Sequence, residues 1–583
     1  MHRQVWVGLF LITLLMFLWT FWLSYTYTPS ERVSSEPKTV DTAARVAASS
    51  PPPAPLRQAV FGSYTPFTEG EDSLVVVETA VARYVFGTRG ARLVQHQLKD
   101  YTTSAGRPVQ LWDSTQKSTF IFAEGRNIIP SDSLYFQLVY APKSPIREGS
   151  DSVVFRLSFS PDTFIQVTYL LGGRRYELKW RVWFRGLRAR LRNPYLIHSV
   201  AYTTPQTEPS AKQMWPHCAV YYLQAEEAES LTPEEDEKVQ RSLHGKIHWV
   251  AAKGQFFCVI FHGEEPFVAA EIQSLPTSAL PAYNLNLMVP FQGEEVREVW
   301  YLGPTRYGLL RSYGAQYEAQ LSLGWAFIRY INTLFIIPVF AFLERYIANY
   351  GLIILILALL VKIILSPITW RTYLIGAKMQ VAYELPEVKA LEEKYKDQPD
   401  KLMIERTLLL RQLGINPLSG CVPALLQMPI FFAMVSFFPN AFELRQKKFL
   451  WASDLSSYDD LIRWGFDLPL LGDHLSLFAL LMTLSLIAYT YFTQQSQPAA
   501  ANPALKWLPY LTPIVFFFFL NSSSAALSWY YTVLNGLTIV QVILMKRLVN
   551  KEEIVRRLRA YQQKQQRRII GAERARLRRW FGR

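Results

Sequence analysis

The sequence predicts a multi-domain membrane protein: a polytopic α-helical core with six transmembrane helices in all, five of them in one bundle, plus an antiparallel β-sandwich outside the cytoplasm. Three observations predict it. Half of the 583 residues are apolar and gathered in blocks, residues 63–311 instead alternate with period two, and the formal charge of +14 is unevenly spread. From Lys546 to Arg583, fourteen Lys/Arg stand against Glu552, Glu553 and Glu573, which is +11 of the +14. A basic tail of this kind suits nucleic acid, ribosomal RNA or an anionic membrane surface, and composition does not choose among them.

Residues 5–23 form a charge-free apolar run of nineteen, about the length that crosses a bilayer. Arg3 precedes it, and Trp19, Phe21, Trp22, Tyr25 and Tyr27 crowd its far end as an interfacial belt. Its core is longer than a signal peptide's and lacks a small-residue cleavage site, so residues 1–28 read as a retained anchor with its start in the cytoplasm. Residues 29–60, rich in Ser, Ala and Pro, read as a disordered linker.

Residues 61–315 read as the β domain. Leu178, Trp180, Val182 and Phe184 alternate with Glu177, Lys179, Arg181 and Trp183, and Ile165, Val167 and Tyr169 alternate with Gln166 and Thr168. Gly172-Gly173 between these runs is a hairpin signal, and Val153, Phe155, Leu157 and Phe159 make a third strand. No paired carboxylates in a recognisable setting, Ser/His/Asp signature or phosphate loop stands out. The domain therefore reads either as a spacer and docking module or as a binder of sugars or peptides. Cys218, Cys258 and Cys421 lack metal-ligand spacing, and His217 beside Cys218 has no second pair to complete a site. A Cys218–Cys258 disulfide and two buried thiols both remain open.

Apolar segments follow at 321–343, 349–370, 421–439, 475–493, 507–523 and 526–545. The first contains Arg329 and Pro338 and is laced with Trp325, Tyr330 and Tyr346, so 321–346 is expected to lie flat in the interface. Five spans then remain in 349–545. Charge supports this count: the loop 371–420 holds eight Lys/Arg, and both it and the tail 546–583 fall on the cytoplasmic side. The loop reads as a helical hairpin, 379–396 and 401–413 about a Gln398-Pro399-Asp400 turn, with Pro386 kinking or restarting its first arm.

Lys362 interrupts the apolar run 352–365. It lies nine residues before Arg371, about 13–14 Å along a helix, hence in the inner leaflet. An ammonium at a helix centre costs on the order of 2.5–3.5 kcal/mol, reduced when the stem snorkels to the interface. Snorkelling is the plain reading. Against it, Gln427 lies in another span, and Tyr531, Asn535, Thr538 and Gln541 form one stripe on the last. Polar groups at membrane depth face a bundle interior or a wet cavity, which points to a hydrated pocket in the cytoplasmic half.

These residues carry a resemblance. Val361-Lys362-Ile363-Ile364-Leu365-Ser366-Pro367, Ala377-Lys378-Met379, Asn416-Pro417-Leu418-Ser419-Gly420-Cys421-Val422-Pro423, Gln427-Met428-Pro429, Glu443-Leu444-Arg445-Gln446 and Tyr530-Tyr531 resemble the YidC insertase family. In the β region, Gly87-Thr88-Arg89-Gly90 and Tyr301-Leu302-Gly303-Pro304 are similar to its Gram-negative form, whose β domain is periplasmic. The resemblance implies an inner-membrane insertase and chaperone without chemical catalysis, nucleotide, cofactor or metal. It implies a groove carrying a positive charge, usually arginine, at the position of Lys362; lysine keeps the charge and loses the planar fork. Gln427, Tyr530, Tyr531, Asn535 and Thr538 would line or flank that groove. Lys378, Lys389 and Lys394 on the hairpin, with the tail, would meet the ribosome, the targeting machinery or the Sec translocon. Nascent membrane proteins and the lipid bilayer are the other implied partners. A solute transporter using Lys362 as counter-ion is the alternative, although the spans show no obvious internal repeat. A membrane-anchored sugar receptor is a third reading, and it leaves the polar positions unexplained.

Overall fold

The computed structural model describes residues 60–234, 237–277, 279–395, 398–415, 422–468, 471–494 and 508–581. The expected anchor 1–28, nearly all of the linker 29–60, and residues 416–421 with Cys421 lie outside the described residues. The chain divides into two compact units, Met1–Gln320 and Leu321–Arg583.

The first unit is a β-sandwich. Strands β1 (Leu74–Glu78), β2 (Ala82–Gly87), β3 (Arg92–Thr102) and β4 (Pro108–Trp112) form a four-stranded antiparallel sheet. A thirteen-stranded sheet holds β5 (Lys117–Glu124), β6 (Asn127–Pro130), β7 (Gln137–Tyr140), β8 (Ser150–Ser160), β9 (Thr163–Gly172), β10 (Glu177–Arg185), β11 (Tyr195–Thr203), β12 (Ala219–Gln224), β13 (Glu227–Leu231), β14 (Val239–Lys253), β15 (Phe257–Leu275), β16 (Ala282–Pro290) and β17 (Glu295–Pro304). Its main path runs β6-β5-β11-β16-β15-β17-β10-β9-β8-β7, with β12–β14 branching from β15.

The period-two runs become the strands that their pattern demands. β9 and β10 pair with Leu178 opposite Leu171, and Leu178, Trp180, Val182 and Phe184 are all buried. Glycine is needed at the turn, because a Cβ on Gly173 would come within 2.7 Å of the Arg147 carbonyl. β15 changes partner midway: Phe257–Gly263 pairs with β17, and Ala269–Leu275 pairs with β16.

A polar chain crosses this apolar core. Ser118 Oγ lies 2.9 Å from His198 Nε2, His198 Nδ1 lies 2.9 Å from Glu298, and Trp300 Nε1 donates to Glu298 at 2.7 Å. His198, Trp180 and Trp300 form a ring cluster, with the imidazole centroid 5.1 and 5.0 Å from the two indoles and these 5.6 Å from each other. Although the order Ser–His–Glu is that of a hydrolase relay, His198 and Glu298 are fully buried, so the chain satisfies core polar groups rather than meeting a substrate. Cys218 and Cys258 are free buried thiols, pushed by desolvation up to about 12 and therefore protonated.

The second unit is helical. Helix α1 (Ala326–Ile331) passes through a π-helical turn, Asn332–Ile336, into α2 (Ile337–Glu344). Ile328, Asn332, Ile336 and Phe340, spaced by four, are all buried. Four residues overshoot one α-helical turn, and the wider π turn absorbs the drift. Asn332 Nδ2 holds the turn in place by donating to the carbonyls of Leu323 and Ala433.

Helix α3 (Tyr350–Tyr383) is capped by Asn349 and runs 34 residues. It is followed by α4 (Pro386–Lys394), α5 (Pro399–Gln412), α6 (Val422–Phe437), α7 (Leu477–Gln494), α8 (Leu508–Leu520), α9 (Ala525–Leu548) and α10 (Lys551–Phe581). Helices 327–344, α3 and α9 are long and apolar enough to cross a membrane, while α7 and α8 are shorter apolar helices. The helix after the second apolar segment differs from the expectation. Residues 379–383 continue α3 instead of starting the hairpin, and the chain restarts at Pro386. Pro399 opens α5 rather than sitting in a turn, because a first-turn proline loses no hydrogen bond. Ile554 and Leu558 of α10 pack with Val381, Leu385, Val388, Leu410 and Leu413, so the base of the tail belongs to this small core.

One stability prediction comes from β3. His96 is fully buried, neither ring nitrogen has a partner among the described residues, and desolvation holds it down to about 3. The unfolded chain binds this proton near pH 6.5, whereas the folded chain does not until about pH 3. Stability of the β unit should therefore fall on acidification by about 1.4 kcal/mol per pH unit through that window. In thermal unfolding of the full chain, His96→Leu should flatten this slope; an unchanged slope refutes the assignment.

Candidate functional site

Two hydrogen bonds set α3 against α9. Trp529 Nε1 donates to the Gly351 carbonyl at 3.0 Å, and Gln541 Nε2 donates to Thr369 Oγ1 at 2.9 Å. Both links advance along the chain in the same sense, so the helices are parallel. Lys362, between Gly351 and Thr369, therefore stands about seven residues past Trp529 along the axis, at about the level of Asn535. Gly351 allows the close approach of Phe449, whose ring would lie 2.1 Å from an added Cβ.

Helix α6 runs the other way. Phe438, just past its end, packs on Tyr530, and the Phe431 carbonyl accepts from Tyr531 Oη at 3.4 Å. Gln427, one turn before Phe431, thus also reaches the level of Asn535. Helix α7 joins on α9: Asn535 Nδ2 donates to Ser485 Oγ at 3.0 Å, and Ser485 itself donates to the Met482 carbonyl.

The expected residues divide into three groups. Lys362, Gln427 and Asn535 come to one level on three helices. Lys362 is half-buried at the edge of the face formed by Ala358, Val361 and Leu365, and makes no ion pair or hydrogen bond among the described residues. The Gln427 Nε2 is likewise buried without a partner among them. Tyr531 and Thr538 flank this level; the Thr538 hydroxyl folds back on its own helix, donating to the Leu534 carbonyl at 2.6 Å. Tyr530 is fully buried against Phe438 and Tyr531 and acts as packing. Lys378 lies on the C-terminal extension of α3, and Lys389 and Lys394 are exposed on α4.

Sequence spacing marked the stripe on α9, and Ser485, with Thr483, stood out on its own span only as an isolated hydroxyl, which carries little signal. Helix pairing gives Ser485 its weight and adds Thr369, which no local pattern would have selected.

Comparison with known proteins identifies the family. The family described as 60Kd inner membrane protein matches residues 342–553, and the family described as YidC periplasmic domain matches residues 74–336. The membrane protein insertase YidC of Amoebophilus asiaticus is 32% identical over 512 residues, covering 85% of this chain and 85% of that one. That of Parabacteroides distasonis is 31% identical over 538 residues, covering 87% of this chain and 83% of its own. A solved structure of an active YidC insertase, with the first transmembrane domain resolved, aligns over 84% of this chain and 96% of its own at 16% identity and a TM-score of 0.31. The chain belongs to the YidC family of membrane protein insertases and is an inner-membrane insertase with a periplasmic β domain and a core of apolar helices.

Proposed function

We propose that Lys362, Gln427 and Asn535, flanked by Tyr531 and Thr538 and with Tyr530 packed behind them, line a hydrated groove, open to the cytoplasm, through which nascent membrane proteins enter the bilayer. One observation carries this reading: a half-buried ammonium without a carboxylate partner, level with two polar side chains on other helices. A structural lysine at that depth would be paired, because an uncompensated charge is costly there. An unpaired one is available to an incoming chain. It attracts the acidic external segment of a substrate, the groove shortens the apolar distance which that segment crosses, and the adjoining apolar span partitions sideways into lipid.

The topology that goes with this reading has six spans, both termini in the cytoplasm and 321–346 lying in the outer interface. The exposure of Trp325, Phe327, Tyr330, Leu334, Phe342 and Tyr346 opposite the buried stripe supports the interfacial placement. The hairpin 371–420, through Lys378, Lys389 and Lys394, and the basic tail would receive the ribosome and targeting machinery, with or without the Sec translocon.

Lys362→Arg should retain insertion, whereas Lys362→Ala should lower it several-fold for substrates with acidic translocated segments and leave neutral ones nearly unchanged. Reconstituted insertion assays read this directly, and equal insertion of every substrate by the Ala variant removes the electrostatic role. For the tail, Ile554 and Leu558 are structural, so the informative truncation begins at Lys564 and removes eight Lys/Arg and one Glu. It should weaken ribosome co-sedimentation, most strongly at low salt. Unchanged co-sedimentation assigns the tail to the membrane surface instead.

A further inference from the structure

Between α6 and α7 the chain builds a two-stranded hairpin, β18 (Ile462–Leu468) and β19 (Gly472–Leu475). Its first strand presents apolar side chains outward: Ile462 and Phe466 are 50% and 60% exposed, and Leu461 and Leu468 are exposed beside them. A water-facing hairpin of this size would carry polar residues at such positions, and a cluster like this marks a surface meant to be covered.

The base of the hairpin indicates what covers it. Asn521, the residue after α8, donates to the carbonyls of Leu471 and His474 at 2.9 Å each and accepts from the Ser476 amide at 2.9 Å. His474 Nε2 meets the Asn521 carbonyl at 3.0 Å, and the ring of Tyr458 stacks on His474 with centroids 3.7 Å apart. Asp459 accepts from Trp451 Nε1 at 2.7 Å, from the Phe478 amide at 3.0 Å and from the Ser476 hydroxyl, which fastens the same loop to the start of α7. Asn521 follows Phe518 and Phe519, which are exposed on the apolar flank of α8 together with Leu511, Ile514 and Val515. The hairpin is therefore tied within one turn of that apolar flank.

The polar groups of the hairpin limit its depth. Trp464 Nε1 is satisfied internally by the Gly472 carbonyl at 3.0 Å, and Arg463 pairs with Asp460 at 2.8 Å. A two-stranded sheet nevertheless leaves backbone donors and acceptors open along both edges, and these cannot sit in hydrocarbon. Apolar side chains with a wet backbone belong at the boundary between headgroups and acyl chains.

We propose that β18–β19 is a membrane anchor, seated in the headgroup–acyl boundary with Ile462 and Phe466 toward the lipid tails and its base locked to α7 and α8 through Asn521 and Asp459. The inference rests on the topology proposed above only in assigning the hairpin to the outer leaflet. The test is a photo-reactive p-benzoylphenylalanine at Phe466 in the full-length chain, reconstituted into phosphatidylethanolamine–phosphatidylglycerol vesicles and irradiated. The expected product is a phospholipid adduct on the peptide carrying position 466. A label that reacts with no lipid, or that in native membranes crosslinks only to another protein, overturns the anchor. Lys448→Cys, on the same inter-helix segment, separates the two ideas in intact spheroplasts. Its reaction with a membrane-impermeant maleimide without any lipid adduct removes the anchor and keeps the topology. An adduct without such reaction keeps the anchor and reverses the leaflet.

Discussion

The parallel pinning of α3 to α9 by Trp529 and Gln541 is the constraint on which the arrangement of the helical unit depends. Away from water, a side-chain donor has no partner except another part of the protein. Two such donors on one helix, each meeting an acceptor on the same neighbour, therefore define direction, level and rotation at once. Apolar packing among Ile353, Ile354, Leu357 and Leu534 would tolerate sliding far more readily, since dispersion contacts are not directional. With α3 and α9 fixed, the level of Lys362 follows, and α6 and α7 join through Tyr531 and Asn535.

The same logic operates on the other surfaces of the molecule. In the β domain, Glu298 meets His198 and accepts from Trp300 inside an aromatic core, so a carboxyl group is buried with its hydrogen bonds made. At the segment between α6 and α7, Asp459 accepts from the first turn of α7, and Asn521, just past α8, accepts from the Ser476 amide. Lys362 and Gln427 differ from these, because neither has its hydrogen-bonding capacity met among the described residues. His96 in the β core is likewise without a partner among the described residues, so it is the position of Lys362 and Gln427 on apolar helices that sets them apart.

Much of this architecture was legible in the chain. The alternation of Leu178, Trp180, Val182 and Phe184 and the Gly172-Gly173 turn specify a hairpin in register, because a one-residue slip would put every buried side chain in water. Asn535 and Gln541 announced themselves by their spacing on an apolar helix. The Ser118–His198–Glu298 chain did not, since its members are separated by 80 and 100 residues on strands whose neighbours are set by sheet order. The end of α3 was also hidden: a lysine-bearing amphipathic stretch can continue a span or begin a hairpin, and only packing on Leu410 and Ile554 distinguishes them.

The sequence by itself determined which segments are strands and which are apolar helices, and that a lysine and a polar stripe lie within the latter. Those are consequences of period, length and transfer energy, all of which are local. Tertiary structure decided which polar residues share a level, which are satisfied, and that the foot of the basic tail helix is part of a core rather than a free extension. These depend on the rotation and offset of whole helices, which are fixed by a few long-range hydrogen bonds and close glycine contacts that leave no mark on local sequence.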